Sequence, residues 1–174
     1  GGLKRMPQII KKGSNVLIVV LEGIGEHWLE RDPSESITPN LHRLAQDGMW
    51  FKKAYAAGDR TDKGLVAINS GYPAQPLSSI IIFPDKVAKL NSLSKQLQGI
   101  GYSTAFIYGG DADFASMKSY CVMQGFKTVI DKKDFASDEL NSKWGAHDGV
   151  MFSKTLKVIN GLSKPFYTLG LTLS

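Results

Sequence analysis

The chain has 174 residues, 43% apolar and 21% charged, which suits one domain with a buried core. Its formal net charge is +5, but the Lys and Arg residues are scattered, so no nucleic-acid footprint is indicated. A lone cysteine, Cys121, excludes an internal disulfide and a cysteine-rich zinc cluster. No run of roughly 18 apolar residues is present to cross a bilayer.

Residues 1–14 are polar and basic and read as an N-terminal arm; Gly1-Gly2 without an initiating Met looks like a tag scar or a processed end. Val16–Leu21 is an unbroken apolar run, the pattern of a strand covered on both faces. It stops on Glu22-Gly23, which places a carboxylate at the strand's C-terminal end, the edge where open α/β sheets bind ligands. A short helix is expected at Glu26–Glu30. Thr38-Pro39 then opens a helix with a capping hydroxyl and a first-turn proline; Leu41, Leu44 and Ala45 are its stripe and Gly48 its stop. Met49–Ala56 alternates as a strand does.

Gly58-Asp59-Arg60-Thr61-Asp62-Lys63-Gly64 leads into a helix over Thr61–Ser70. A hydroxyl at a helix start lies in a positive field that suits a phosphate or a developing alkoxide, although threonine is also an ordinary cap there. Arg60 and Lys63 flank it, either to screen phosphate charge or as solvated cations. Further elements are a helix at Leu93–Gly99, a strand at Ser103–Tyr108, a Gly109-Gly110-Asp111 turn and a helix to about Gln124. A short strand at Thr128–Ile130, a helix at Asp148–Leu162 and a strand at Pro165–Leu173 complete the series. Strands alternating with helices predict an α/β fold with a mainly parallel sheet and helices on both faces. Asp111 and Asp113 are equally readable as turn and helix-capping residues, and Asp148 as a helix cap. Among the histidines, His27 lies near Glu22 in sequence, His42 reads as a surface or boundary residue, and His147-Asp148 has the spacing of a metal pair but stands before a helix.

Taken in order, Glu22, Thr38-Pro39-Asn40-Leu41-His42-Arg43-Leu44-Ala45 and Arg60-Thr61-Asp62 resemble the lipoteichoic-acid-synthase-like branch of the alkaline phosphatase/sulfatase superfamily. The resemblance runs from about Asn15 to Ser174. It implies the N-terminal portion of a sulfatase-like catalytic domain over 15–174, an alkaline-phosphatase-like fold cut at its C-terminal end.

The function implied is phosphoglycerol transfer from phosphatidylglycerol-type phosphodiesters, with Thr61 as nucleophile and Glu22 and Thr61 as ligands of a divalent Mn²⁺ or Zn²⁺. Arg60, Asp111 and Lys118 are the implied substrate-binding residues. Lys118 stands where the family carries an arginine, and Ser116 where it carries a tryptophan, so the bidentate fork is lost. Family members complete the metal site with an Asp-His pair further downstream, so the chain alone is expected to be inactive. The implied partner is an anionic phospholipid headgroup or glycerol phosphate. The implied setting is the extracytoplasmic face of a bacterial membrane, with attachment through a transmembrane region outside this sequence. A sulfatase, a phosphoethanolamine transferase, or a catalytically silent binding domain of the same fold are the alternatives.

Overall fold

The computed structural model describes residues 11–28 and 37–173. Most of the arm, the second half of the Glu26–Glu30 helix and Ser174 lie outside the described residues.

Four strands form one parallel sheet: β1 (Val16–Val20), β2 (Ser103–Tyr108), β3 (Thr128–Ile130) and β4 (Phe166–Leu171), in the order β1-β4-β2-β3. The helices are α1 (Pro39–Asp47), α2 (Thr61–Ser70), α3 (Pro84–Val87), α4 (Leu93–Gly99), α5 (Met117–Met123) and α6 (Asp148–Gly161). The last strand in sequence inserts between the first and second, pairing Ile18 with Leu169 on one side and Phe106 with Leu169 on the other. Both central strands are buried on both faces, as continuous apolar runs require.

Alternation assigns each face its cover. Phe106, Tyr108, Tyr167, Leu169 and Leu171 pack with Leu65 and Val66 of α2 and with Met117, Tyr120 and Cys121 of α5. The other face of β2 and β4 takes α6, with Met151 fully buried. Asn69 ties this scaffold together, donating to Ser94 Oγ at 2.9 Å while its Oδ1 accepts from Tyr167 Oη at 3.3 Å. Burial of Cys121 pushes its thiol far up, consistent with a core residue.

Three expectations need correction. Among the described residues β1 lies at the sheet edge rather than inside it. Val16, Ile18 and Val20 pack on the main cluster, but Leu17 and Val19, on the other face, are 44% and 38% exposed. Met49–Ala56 is an exposed coil with no strand, because alternation makes a strand only where a partner edge is in reach. α1 forms, but Leu44 is 65% exposed, and the Thr38 hydroxyl donates to the Trp28 carbonyl at 3.2 Å instead of capping the helix.

Candidate active site

Every strand here is parallel, so all of their C-terminal ends share one edge, and the chemistry-bearing side chains collect there. Glu22 follows β1 by one residue, and its N–H is held by Thr172 Oγ1, just past β4, at 2.8 Å. Thr61 is the first residue of α2, with Arg60 in extended conformation as the N-cap. The Thr61 hydroxyl donates to Glu22 Oε1 in a short hydrogen bond. The two residues are 39 positions apart in sequence and in direct contact in space.

Glu22 borders three cavities. One, about 690 Å³, runs beside the Gly58–Thr61 loop and the first turns of α2. A small one of about 160 Å³ lies between Arg60, Thr61 and Tyr108. The third, about 460 Å³, extends past Asp111 toward residues 132–144. No Lys, Arg or His among the described residues forms an ion pair with Glu22. A half-buried carboxylate without a cationic side chain, touching a hydroxyl oxygen, is a pair of hard oxygen donors turned toward one point. That donor chemistry fits a divalent cation such as Mn²⁺, or Zn²⁺ with further ligands.

Tyr108 closes β2 at the same edge. Burial raises its phenol pKa first, and the charges of Glu22 and Asp111 raise it further, so it stays a neutral hydroxyl at physiological pH. Sequence reading missed Tyr108 and Thr172. The signal was available for both, since each ends or directly follows a strand of the parallel sheet. The small cavity is also lined by Ala115, which with Ser116 adopts left-handed backbone at φ 52° and 60°. For residues other than glycine such geometry costs of order 1–3 kcal/mol and gathers at functional sites.

The structure brings together Glu22, Thr61, Arg60 and Asp111 along these cavities, as the sequence predicts. Lys118 lines none of the three cavities, although the carboxylate it pairs with lies within 4.8 Å of that of Asp111. Its ammonium bonds Asp131 Oδ2 at 3.1 Å, and Asp131 is fully buried, so the lysine neutralises an interior carboxylate; that hydrogen bond, more than any other effect, raises the Lys118 pKa. Asp131 also accepts from Lys133 N at 3.0 Å, capping a single 3-10 turn. His27 is exposed and lies against Trp28 with the rings tilted at 43°, His147 occupies the N-cap position of α6 without a side-chain cap bond, and neither lines these cavities. Asp148 is the first residue of α6 rather than its cap, and its Oδ1 accepts from Leu173 N at 2.7 Å.

A different acidic group, Asp111, Asp113 and Asp131, has oxygens within 4.8 Å of one another. Lys118 and Lys133 pair with Asp131 and Asp113, which leaves one of the three negative charges, that of Asp111, without an ion pair among the described residues.

The fold belongs to the alkaline phosphatase superfamily: a protein of that superfamily from Vibrio parahaemolyticus superposes with a TM-score of 0.83 at 28% identity, covering 94% of this chain and 41% of that one. The sulfatase family signature matches residues 14–174, and the chain belongs to that family. Among its relatives, lipoteichoic acid synthase 2 of Bacillus subtilis is 26% identical over 94% of this chain and 26% of its own length. Phosphoglycerol transferase I of Xanthomonas campestris pv. campestris is 24% identical over 95% of this chain, again 26% of its own length. The branch that the sequence resembles is therefore the one its relatives occupy, and the chain spans about a quarter of their length.

Proposed function

We propose that this chain carries the nucleophile side of the catalytic site of a divalent-metal-dependent phosphoglycerol transferase acting on phosphatidylglycerol-type phosphodiesters. The observation that carries the reading is the contact of the Thr61 hydroxyl with the Glu22 carboxylate at the start of α2 and the mouth of the cavities. The names of the relatives, a lipoteichoic acid synthase and a phosphoglycerol transferase, support the substrate class.

In this reading Glu22 and Thr61 hold the metal, which when bound lowers the pKa of the hydroxyl and offsets phosphoryl charge. Glu22 accepts the hydroxyl hydrogen bond and holds Thr61 beside the cavities that both residues line. Arg60 and the free N–H groups of the first turn of α2 draw in the phosphoryl oxygens. Asp111, on the far side of Glu22, accepts hydrogen bonds from glycerol hydroxyls. A bond forms from Thr61 Oγ1 to phosphorus as the bond from phosphorus to the lipid alcohol oxygen breaks; the hydroxyl proton passes to Glu22, the departing oxygen leaves as the alcohol by taking up a proton, and phosphoglycerol remains on Thr61. An acceptor hydroxyl then gives up its proton and attacks phosphorus, the bond from Thr61 Oγ1 to phosphorus breaks, and the threonine hydroxyl is restored by a proton.

In this reading the work is done at the extracytoplasmic face of a bacterial membrane, the setting that the family resemblance implies. No helix among the described residues is long and apolar enough to cross one. The test is mass spectrometry of the full-length protein quenched during turnover of phosphatidylglycerol with Mn²⁺. A phosphoglycerol adduct on the Thr61 peptide is expected. Turnover with no adduct at Thr61, or with an adduct elsewhere, overturns the assignment.

A further inference from the structure

Tyr108 carries a polar group that the fold itself leaves unused. It ends β2 and lies in register with Leu171 of β4, and the next residue of that chain segment, Thr172, holds the Glu22 N–H at 2.8 Å. The ring packs on the face covered by α2 and α5. The residue therefore stands between Thr61 at the start of one helix and Met117 at the start of the other. Glu22, Tyr108 and Phe114 line both the small cavity at Thr61 and the larger one that runs past Asp111 to Lys132, Lys143 and Trp144. Tyr108 is 8% exposed, and its hydroxyl makes no hydrogen bond among the described residues. A phenylalanine would fill the same space without the cost of burying an unpaired hydroxyl. Burial, then the charge of Glu22, then that of Asp111 hold the phenol in its neutral form, so both carboxylates lie within electrostatic reach of it.

The phenol is held in place by backbone rather than by a hydrogen bond of its own. A Cβ on Gly110 would come within 2.5 Å of Tyr108 Cζ and 2.6 Å of Oη, so the tip of the ring rests where only glycine leaves room. The Gly109-Gly110 segment is itself anchored. Lys132 N–H bonds the Gly110 carbonyl at 2.8 Å, and Ala146 N–H bonds the Gly109 carbonyl at 2.9 Å. A Cβ on Gly145 would come within 2.1 Å of the Gly109 oxygen, so glycine there lets the two backbones meet. A fixed ring with an uncommitted O–H donor thus borders the cavity where Thr61 meets Glu22.

We propose that Tyr108 is a catalytic residue: its phenol donates a hydrogen bond to a non-bridging oxygen of the phosphoryl group that Thr61 attacks. The bond strengthens as negative charge gathers on that oxygen in the transition state, when phosphorus is partly bonded to both the entering and the departing oxygen. The phenol proton stays on Tyr108 throughout, so the group stabilises charge and transfers nothing. Its neutrality matters here. Glu22 and Asp111 repel an incoming phosphoryl anion, and an uncharged donor adds attraction beside Arg60 without forming a competing ion pair with either carboxylate. The proposal rests on the reading that Thr61 is the nucleophile, and it adds a residue that this reading does not use.

The test is Tyr108→Phe in the full-length protein, measured in three ways. Turnover of phosphatidylglycerol with Mn²⁺ should show kcat lower by about a hundredfold, the loss of an oxyanion donor, with KM changed less than about threefold. Titration calorimetry with orthovanadate, whose trigonal-bipyramidal adducts resemble phosphorus in mid-transfer, should show binding weakened about tenfold or more. Tm should stay within about 3 °C of the wild type, since the hydroxyl makes no bond within the fold. Gly110→Ala is the second variant. It keeps the hydroxyl but pushes the ring aside, and should lower kcat in the same way. Adding Tyr108→Phe to it should cost less than about threefold more, because two changes to one contact are not additive.

A kcat fall of less than about tenfold, or unchanged orthovanadate affinity, overturns the proposal. A larger loss of Tm assigns the hydroxyl a structural role and overturns it equally. The adduct experiment on Thr61 is independent. An adduct formed at full rate by the Tyr108→Phe protein removes the role of Tyr108 alone. Orthovanadate binding that depends on Tyr108, with no adduct on Thr61, removes the transfer reading alone.

Discussion

Replacing Thr61 by valine separates a nucleophile from a structural hydroxyl. Thr61 is the first helical residue of α2, Arg60 occupies the cap, and no cap hydrogen bond comes from the Thr61 side chain. The hydroxyl makes its bond to Glu22, and Glu22 lies on cavities open to water, so its freed oxygen can be solvated. Losing such a bond costs about 0.5–1.5 kcal/mol. In a domain of this length 1 kcal/mol moves Tm by about 2–4 °C. Valine keeps the branched shape, so packing adds little. Turnover by the full-length protein should fall by roughly a thousandfold or more, because the atom that bonds phosphorus is gone. Scanning calorimetry of the 174-residue chain and phosphatidylglycerol turnover by the full-length protein measure the two sides. Thr61→Asp should be equally inactive, having no hydroxyl to accept a phosphoryl group. A Thr61→Val or Thr61→Asp enzyme that turns over refutes the nucleophile assignment, and a Tm drop beyond about 8 °C refutes the account of a dispensable bond.

Lys118→Met should destabilise the chain by about 2–4 kcal/mol in urea denaturation, since it strands the fully buried Asp131 carboxylate. The folded Lys118 pKa is raised above the ordinary 10.5, so its contribution is complete below that pH and fades as pH rises through the higher folded value; stability that does not fall above pH 10.5 through this pair would contradict the pairing. Ala115→Gly and Ser116→Gly, at φ 52° and 60°, should each raise stability by about 0.5–1 kcal/mol in the same assay. Isothermal calorimetry should find weak Zn²⁺ or Mn²⁺ binding to this chain, because Glu22 and Thr61 supply only two oxygen donors and three or four are usual. A submicromolar site at Glu22 would show that further ligands lie among residues 1–174.

What the sequence determined by itself is local. The apolar run at 16–21 ending on Glu22, the Thr61 helix start and the alternation of strands with helices are readable because burial period and chain punctuation act over a few residues. They suffice to put Glu22 and Asp111 on one edge, since in a parallel sheet every strand's C-terminal end faces the same way; Thr61 follows directly on no strand, and the tertiary structure is what brings it to Glu22. The tertiary structure decided the rest. The Phe166–Leu171 strand enters between β1 and β2, leaving the most apolar-looking N-terminal run at an edge. Met49–Ala56 has a strand's pattern but no edge to join. Position 118 shows the same limit at a single side chain. A lysine seven residues after Asp111 looks free to meet a substrate, until folding buries Asp131 beside it and the cost of an unpaired interior charge claims the ammonium. Lys132, Lys143 and Trp144 carry no motif at all. They reach the cavity because Gly109 and Gly145 allow two backbones to touch, a contact between residues distant in sequence that no local pattern encodes.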